Sequence, residues 1–358
     1  MPVSPDHGAR LTRGVVDQVV QAELVMLRRI RRVLEQGIDA PEWVTVKLAE
    51  LQTVRARLLR DLAGLDQQLA AGIEDAVQRA YITGQALAVG DLDDARVRPA
   101  LPAGQFAAVQ TIAADVIATT AGLRPVALRA VTDAYQAAVA EASSTVLLGA
   151  QTRVEAAQQA LDRLLQDGIS GFRDSAGRNW TLESYVEMAT RTGTGRAAIQ
   201  GHTDTLAASG HDLVYVIPGP RPCPDCDQWS GKVLSISGGT TEVVAAGRRV
   251  TVTPMADARS TGHLFGPNCR CSTGAYFPGV TVPRTERPDR AGYDAGQQQR
   301  YLERGVRRWK RRQELALTPE AKRAAGVKVR EWQTRVREDV DEHGLKRLPR
   351  REQVGRAT

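Results

Sequence analysis

TLAASGHDLVYVIPGPRPCPDCDQWSGKVLSISGG, residues 205–239, is where the chain changes its period. Up to about Ser209 the pattern is helical, but from Asp212 to Ile217 (DLVYVI) an apolar run stands between Gly210 and Pro218-Gly219-Pro220, which is a strand signal. Lys232–Ser237 (KVLSIS) and Arg249–Thr253 read the same way, with Gly238-Gly239 after the first. Residues 212–280 are therefore expected to form a small domain with β structure, set between helical regions.

Upstream, Thr181 followed by Glu183 and Ser184 opens the helix that ends near Ser209. GISGFRDSAGRNW, residues 168–180, breaks the preceding pattern, with a tight turn expected at Asp174–Gly177. Ala-rich helices are predicted over 106–121 and 125–166, with Pro125 in a first turn, where its missing N–H costs nothing. Residues 91–104, DLDDARVRPALPAG, read as a loop. Leu48, Leu51, Val54, Leu58, Leu62, Leu65 and Leu69 step by three or four residues and predict one helix of about 22 residues, a rod of roughly 33 Å. Val16, Val19, Val20, Leu24, Leu27 and Ile30 mark another amphipathic helix over 11–34. Downstream, a polar linker over 281–296 leads to helices starting near Gln297 and at Pro319.

The chain has 358 residues, 42% hydrophobic and 25% charged but only 4% aromatic, which suits a helix-rich folded protein and excludes wholesale disorder. No stretch is read as reaching the roughly 20 apolar residues that cross a bilayer, so no membrane partner is expected. Met1–Gly14 carries no signal-peptide apolar run; the expectation is a protein that works where it is made or travels inside an assembly. The net charge is +7, unevenly placed: residues 284–358 hold 21 Lys+Arg against 12 Asp+Glu, and residues 1–283 hold 27 against 29. A positive field confined to the last fifth of the chain favours nucleic acid or an acidic protein face. A solvated basic helix is the plainer alternative.

All four cysteines lie in the small domain. Cys223-Pro-Asp-Cys226 is a C-x2-C knuckle after a Pro-rich turn, and Cys269-Arg270-Cys271 supplies a second pair after 42 intervening residues, the four soft ligands of a tetrahedral zinc site. His263 is near enough in sequence to replace one Cys. Disulfides and buried free thiols remain open alternatives, the first disfavoured by a reducing cytosol.

Arg221-Pro-Cys-Pro-Asp-Cys226, Gln228-Trp-Ser-Gly-Lys-Val-Leu-Ser-Ile-Ser-Gly238, Pro267-Asn-Cys-Arg-Cys271 and Tyr276-Phe-Pro-Gly279 together resemble phage minor capsid proteins of the MuF-like head-morphogenesis type. GRNWTLESYVEM (177–188) upstream, and YDAGQQQRYLER (293–304) with Arg307-Arg-Trp-Lys-Arg-Arg312 downstream, extend the likeness over residues 177–345. The resemblance implies a structural component present in few copies inside a phage head, associated with the portal and engaged in head assembly or DNA packaging and delivery. The family's second motif commonly reads His-Pro-Asn-Cys-Arg followed by His or Cys. Gly266 stands here where that His is expected, and the Cys-for-His exchange at the position of Cys271 is one that a metal ligand tolerates.

Catalytic constellations are sparse. His202 with Asp204 is imaginable as an acid/base pair, but caps and surface polar groups are the commoner use of such residues; G-x-x-x-x-G-K-[ST], G-x-S-x-G and H-E-x-x-H do not occur. The expected protein is mainly α with a small α+β domain. It divides into an elongated helical arm (1–176) docking to portal and head proteins through the leucine stripe, a MuF-like domain (177–283), and a basic helical tail (284–358). It is expected to be a non-enzymatic virion protein, inside the capsid near the portal after assembly in the host cytoplasm, with no small-molecule substrate. Cys223, Cys226, Cys269, Cys271 and His263 are the candidate ligands of a structural zinc. Arg307, Arg308, Lys310, Arg311 and Arg312 are the candidate phosphate contacts to packaged double-stranded DNA. The alternative is a zinc-dependent nucleic-acid-binding protein or nuclease.

Overall fold

The computed structural model describes residues 8, 10–100, 105–147, 152–167, 170–173, 177, 179–219, 221–283 and 289–354. The elements in chain order are α1 (Arg13–Glu35), α2 (Trp43–Asp61), α3 (Leu65–Asp94), α4 (Gln105–Ala121), α5 (Leu123–Leu147), α6 (Arg153–Asp167), β1 (Ser170–Arg173), β2 (Asn179–Thr181), α7 (Leu182–Ala208), β3 (Leu213–Ile217), α8 (Pro224–Asp227), β4 (Val233–Ser235), β5 (Glu242–Ala245), β6 (Arg248–Pro254), α9 (Met255–Ser260), β7 (Ser272–Ala275), α10 (Arg290–Leu315) and α11 (Pro319–Glu342). The chain is mainly α with a small mixed sheet. Two compact units form, each from three separate stretches: the described parts of Met1–Val15, Leu69–Thr120 and Glu187–Tyr293 in one, and of Val16–Gln68, Ala121–Val186 and Asp294–Thr358 in the other.

The first unit is built on the five-stranded sheet, in the order β5-β6-β4-β3-β7. Strand β3 pairs antiparallel with β4 and β7, and β4 runs parallel to β6. Ala246-Gly247, both at positive φ, close the β5–β6 hairpin, as a two-residue turn between right-twisted strands requires. Strand β3 is buried at Leu213, Val214, Val216 and Ile217, which is why it reads as an unbroken apolar run instead of a clean alternation. Helices α3 and α7 of this unit cross at glycine. A Cβ on Gly84 would fall 1.9 Å from the Ala198 carbonyl oxygen, and one on Gly201 would fall 2.1 Å from that of Tyr81.

In the second unit, Trp43 donates its indole N–H to the Leu34 carbonyl (3.2 Å) and Tyr135 its hydroxyl to that of Lys47 (2.9 Å), tying α1, α2 and α5 around buried apolar side chains. Helices α10 and α11 share a core of Leu302, Val306, Trp332, Val336 and Val340. Thr318 caps α11 at the position expected, accepting the Ala321 N–H at 3.1 Å.

Several expectations are corrected. The leucine stripe is not one rod: α2 ends at Asp61, Gly64 takes φ +82°, and α3 begins at Leu65. Val54, Leu58 and Leu62 are buried in the chain's own core while Leu48 is 54% exposed, so the stripe is largely consumed internally. The loop over 91–104 starts later than expected, because α3 continues to Asp94. Its end is a Schellman closure, with Arg96 left-handed and the Val97 N–H on the Leu92 carbonyl (2.8 Å). Helix α10 begins at Arg290, seven residues before Gln297, because Asp289 accepts the Gly292 N–H (2.8 Å) as a cap. Residues 168–180 carry the antiparallel pair β1–β2, and the turn expected at Asp174–Gly177 lies mostly outside the described residues. Finally, Phe106–Ala142 is apolar and long enough by composition to cross a membrane; it is divided between α4 and α5 at Gly122.

Candidate metal centre and basic helix

Cys223 caps the single turn of α8, its carbonyl accepting the N–H groups of Cys226 (3.0 Å) and Asp227 (3.1 Å), which turns the Cys226 thiol into the core. The second motif arrives from the loop between α9 and β7, where Phe265 and Asn268 are both left-handed (φ 58° and 64°). Gly219 brings the two motifs together: a Cβ there would meet the Arg270 side chain and carbonyl at 2.7 Å. Gly266 also has a steric reason, since a Cβ would fall 2.3 Å from the Gly262 carbonyl oxygen. This backbone has no room for the histidine that the resemblance leads one to expect at that position.

Three of the four thiols converge. The sulfurs of Cys226, Cys269 and Cys271 all lie within 4.8 Å of one another, and Cys226 Sγ is 3.5 Å from Cys269 Sγ. A disulfide requires about 2.05 Å, so all four cysteines are thiols. Two thiolates on one zinc, at about 2.3 Å each and tetrahedral, stand about 3.8 Å apart, close to the spacing found. Hydrogen bonds from the Cys226 and Cys271 thiols draw Cys269 down to about 3, well below an ordinary thiol. The Cys271 N–H at 3.4 Å from its sulfur assists. Cys226 is pushed up, chiefly by its hydrogen bond to Cys269. Cys271 is lowered by Cys226, but Cys269 and burial outweigh this and raise it to about 12. The three sulfurs form a donor group in which Cys269 is the thiol most readily deprotonated, and a soft cation completes it by displacing thiol protons.

The remaining two candidate ligands are not in this set. Cys223 is half-buried and packs against the same apolar cluster. The His263 ring is 56% exposed, with Nδ1 3.7 Å from an Asp225 carboxylate oxygen; it is its carbonyl that faces the Cys226 sulfur, at 3.7 Å. A small cleft lined by Thr83, Arg191, Thr194 and Arg270 together with Leu11, Ala80, Ala198 and Ile199 adjoins Cys269 and Cys271.

His202 does not pair with Asp204. It is completely buried, with Nε2 3.0 Å from Asp91 Oδ2 and Nδ1 3.3 Å from the Thr273 hydroxyl, while Asp91 also accepts the Ala275 N–H (3.1 Å). Burial alone would raise the Asp91 carboxyl, but His202 and that N–H hold it below the usual carboxylate range. Asp204 instead accepts the Tyr81 hydroxyl and the Gln200 amide, both at 2.7 Å. The Asp-His-Thr set has the connectivity of an acid/base relay, but His202 and Thr273 are both 0% exposed, and it acts as a strut joining α3, α7 and β7. Sequence reasoning missed Asp91 because it was read as part of a loop.

The basic candidates on α10 are held within their own unit. Arg311 is 7% exposed, with Nη2 2.7 Å from Glu183 and 3.3 Å from Glu23; Arg307 Nε stands 3.2 Å from Glu183. Burial would raise Glu183, but Arg307 and Arg311 hold it below its ordinary value. Arg312 donates to the Asp162 carbonyl (2.7 Å), and Lys310 to Gln353 (3.1 Å). Arg308 lies over the rings of Trp309 (5.9 Å) and Trp332 (5.3 Å).

The family model described as phage minor capsid protein 2 matches residues 3–341. A curated relative, described as a structural protein of Lactococcus phage LL-H, is 27% identical over 208 residues, which cover 56% of this chain and 54% of the relative. The match thus spans about half of that relative's length. No solved structure matches the chain.

Proposed function

The chain belongs to the phage minor capsid protein 2 family, and from that premise we propose that it is a non-enzymatic structural component of the head, set inside the capsid near the portal. It would assemble in the host cytoplasm and serve head morphogenesis and DNA packaging or delivery. One observation carries the structural reading: the groups with chemical potential are used to hold cores together. The thiols sit in the apolar centre of one unit, His202 is a buried strut, and Arg307 and Arg311 are fixed on Glu183.

Within this reading, a zinc ion on Cys226, Cys269 and Cys271, completed by Cys223 or His263, staples the small sheet domain; the ion supplies a bonded cross-link between the two cysteine loops. Residues 1–176 are assigned to docking on portal and head proteins. The buried part of the leucine stripe leaves that contact to exposed residues such as Leu48. Residues 177–283 form the stapled domain. The tail, 284–358, is assigned to packaged duplex DNA through its basic run; of the five candidates there, Arg307 and Arg311 are held on Glu183 and Arg312 on Asp162, which leaves the phosphate contact to Arg308 and Lys310.

The second reading, a zinc-dependent nucleic-acid-binding protein or nuclease, is favoured by one observation: three thiols converge beside a small cleft, which is the ligand count of a catalytic zinc. Quantitative mass spectrometry of purified particles, with portal cross-linking, tests the first reading. Few copies per particle, cross-linked to the portal, are expected. Absence from the particle, or metal-dependent cleavage of DNA by the purified chain, overturns it.

A further inference from the structure

Cys226 and Cys269 belong to different loops, 43 positions apart in the chain, yet their sulfurs stand 3.5 Å from each other. A disulfide bond is about 2.05 Å long, so the pair is about 1.5 Å short of bonding, a gap that a small rotation of each side chain closes. Spacing in the sequence points to a different pair. Cys223 is the C-x2-C partner of Cys226, but it is not in the converged set, which is Cys226, Cys269 and Cys271. Cys269 and Cys271 share one loop, and a bridge between them would have to close over Arg270 alone.

The sulfurs also differ in access. Cys226 is 1% exposed, whereas Cys269 is half-buried and lines the small cleft together with Thr83, Arg191, Thr194 and Arg270. Cys271 lines it as well but is 8% exposed. The cleft holds about 40 Å³. One water needs roughly 10–15 Å³, so there is space for hydrogen peroxide, with its two oxygens, and little for a larger oxidant. The hydroxyl and guanidinium groups in the lining suit a small polar molecule. An oxidant entering here reaches Cys269, and Cys226 waits 3.5 Å from it on the buried side, which is the arrangement of an attacking thiol with a resolving one.

We propose that Cys269 and Cys226 form an oxidation site that takes hydrogen peroxide through the cleft and closes to a Cys226–Cys269 disulfide. The Cys269 sulfur attacks one peroxide oxygen and the O–O bond breaks. The hydroxide released takes up the thiol proton as water, and Cys269 is left as a sulfenic acid. The Cys226 sulfur then attacks the Cys269 sulfur. The S–S bond forms, the S–O bond breaks, and hydroxide leaves with the Cys226 proton as a second water. Two thiols are oxidised to one disulfide, and the peroxide is reduced to two waters. The reaction does not need the metal. Where zinc is held as proposed above, the bridge withdraws two of its ligands and the ion leaves, so a covalent cross-link between the same two loops takes the place of the staple. On the virion reading, a chain assembled in a reducing cytosol and released into an oxidising medium passes from the first form to the second.

The test is peroxide treatment of the full purified chain, as purified and after chelation, followed by alkylation and unreduced peptide mapping by mass spectrometry. A peptide joined through Cys226 and Cys269 is expected, with the titratable thiols of the denatured chain falling from four to two. In Cys226→Ser the resolving thiol is gone, and dimedone is expected to trap the sulfenic acid on Cys269. Cys271→Ser is expected to form the same bridge as the unaltered chain. Peptide mapping of the unaltered chain stands even if a variant fails to fold. Cys223–Cys226 or Cys269–Cys271 as the main product overturns the inference, as do four thiols that survive peroxide sufficient to oxidise free cysteine. One zinc released per bridge supports the metal reading as well; a chain that holds no metal and still forms the bridge supports the oxidation site and overturns the zinc staple.

Discussion

His202 holds two hydrogen bonds at zero exposure, and the Asp91 carboxylate it meets has a depressed pKa. A carboxylate whose folded pKa lies below its unfolded value, near 3.9, stabilises the fold above that pH and loses the contribution as pH falls through the folded value. Glu183, held down by Arg307 and Arg311, has the same sign. Stability is therefore expected to fall below about pH 4. His202→Ala leaves Asp91 partly buried without its ring partner and is expected to cost about 3 kcal/mol at pH 7, with a smaller difference from the unaltered chain at pH 3. Urea unfolding at the two pH values measures this; an equal difference at both would show that the strut carries no charge. At this scale the cysteines were legible in the sequence, because type and spacing suffice to propose a ligand set. The choice of Cys226, Cys269 and Cys271 over Cys223 and His263 was not, since it depends on which way side chains turn in two loops of strained backbone.

Helices α3 and α7 approach until backbone meets backbone at Gly84 and Gly201. Gly84→Ala places a methyl group 1.9 Å from the Ala198 carbonyl oxygen, which only separation of the helices relieves; a loss of about 3 kcal/mol or more is expected, although alanine favours the isolated helix. Thermal unfolding reads the result, and an unchanged or higher midpoint would mean that the helices are not in contact there. Element by element, the helical segments and the strands β3, β4 and β6 were legible, because an amphipathic or apolar run of that length carries its own period, but the helix predicted over 125–166 is two, α5 and α6. Strands β1, β2, β5 and β7 were missed. Thr-Glu-Val-Val-Ala and Ser-Thr-Gly-Ala hold too few apolar residues to show a pattern, and they become strands only by pairing with β6 and β3. Gly64 and Asp289 show the reverse case: each sets a helix boundary by local geometry, and each was overridden in the reading by the hydrophobic stripe or by linker composition.

At the scale of the molecule, the metal and the two compact units predict different responses to chelation. One zinc per chain is expected by elemental analysis under reducing conditions, with the cluster thiols titrating only after chelation. Chelation should then raise amide hydrogen exchange in β3, β4 and β7 while α10 and α11 keep their protection. Four thiols titrating at once in metal-free protein, with exchange unchanged by chelator, would make the cluster an apolar packing feature. By itself, the sequence determined the fold class, the position of the sheet-bearing segment, the cysteine motifs and the concentration of positive charge, because each is written in residues close together in the chain. Only the tertiary structure decided that each unit is assembled from three separate stretches, that Cys226 meets Cys269, that Asp91 meets His202, and that Arg311 turns inward to Glu183. Those pairings join residues 43, 111 and 128 positions apart, and no local period encodes them: they follow from which apolar faces bury against which, and the polar groups then pair with what burial has placed beside them.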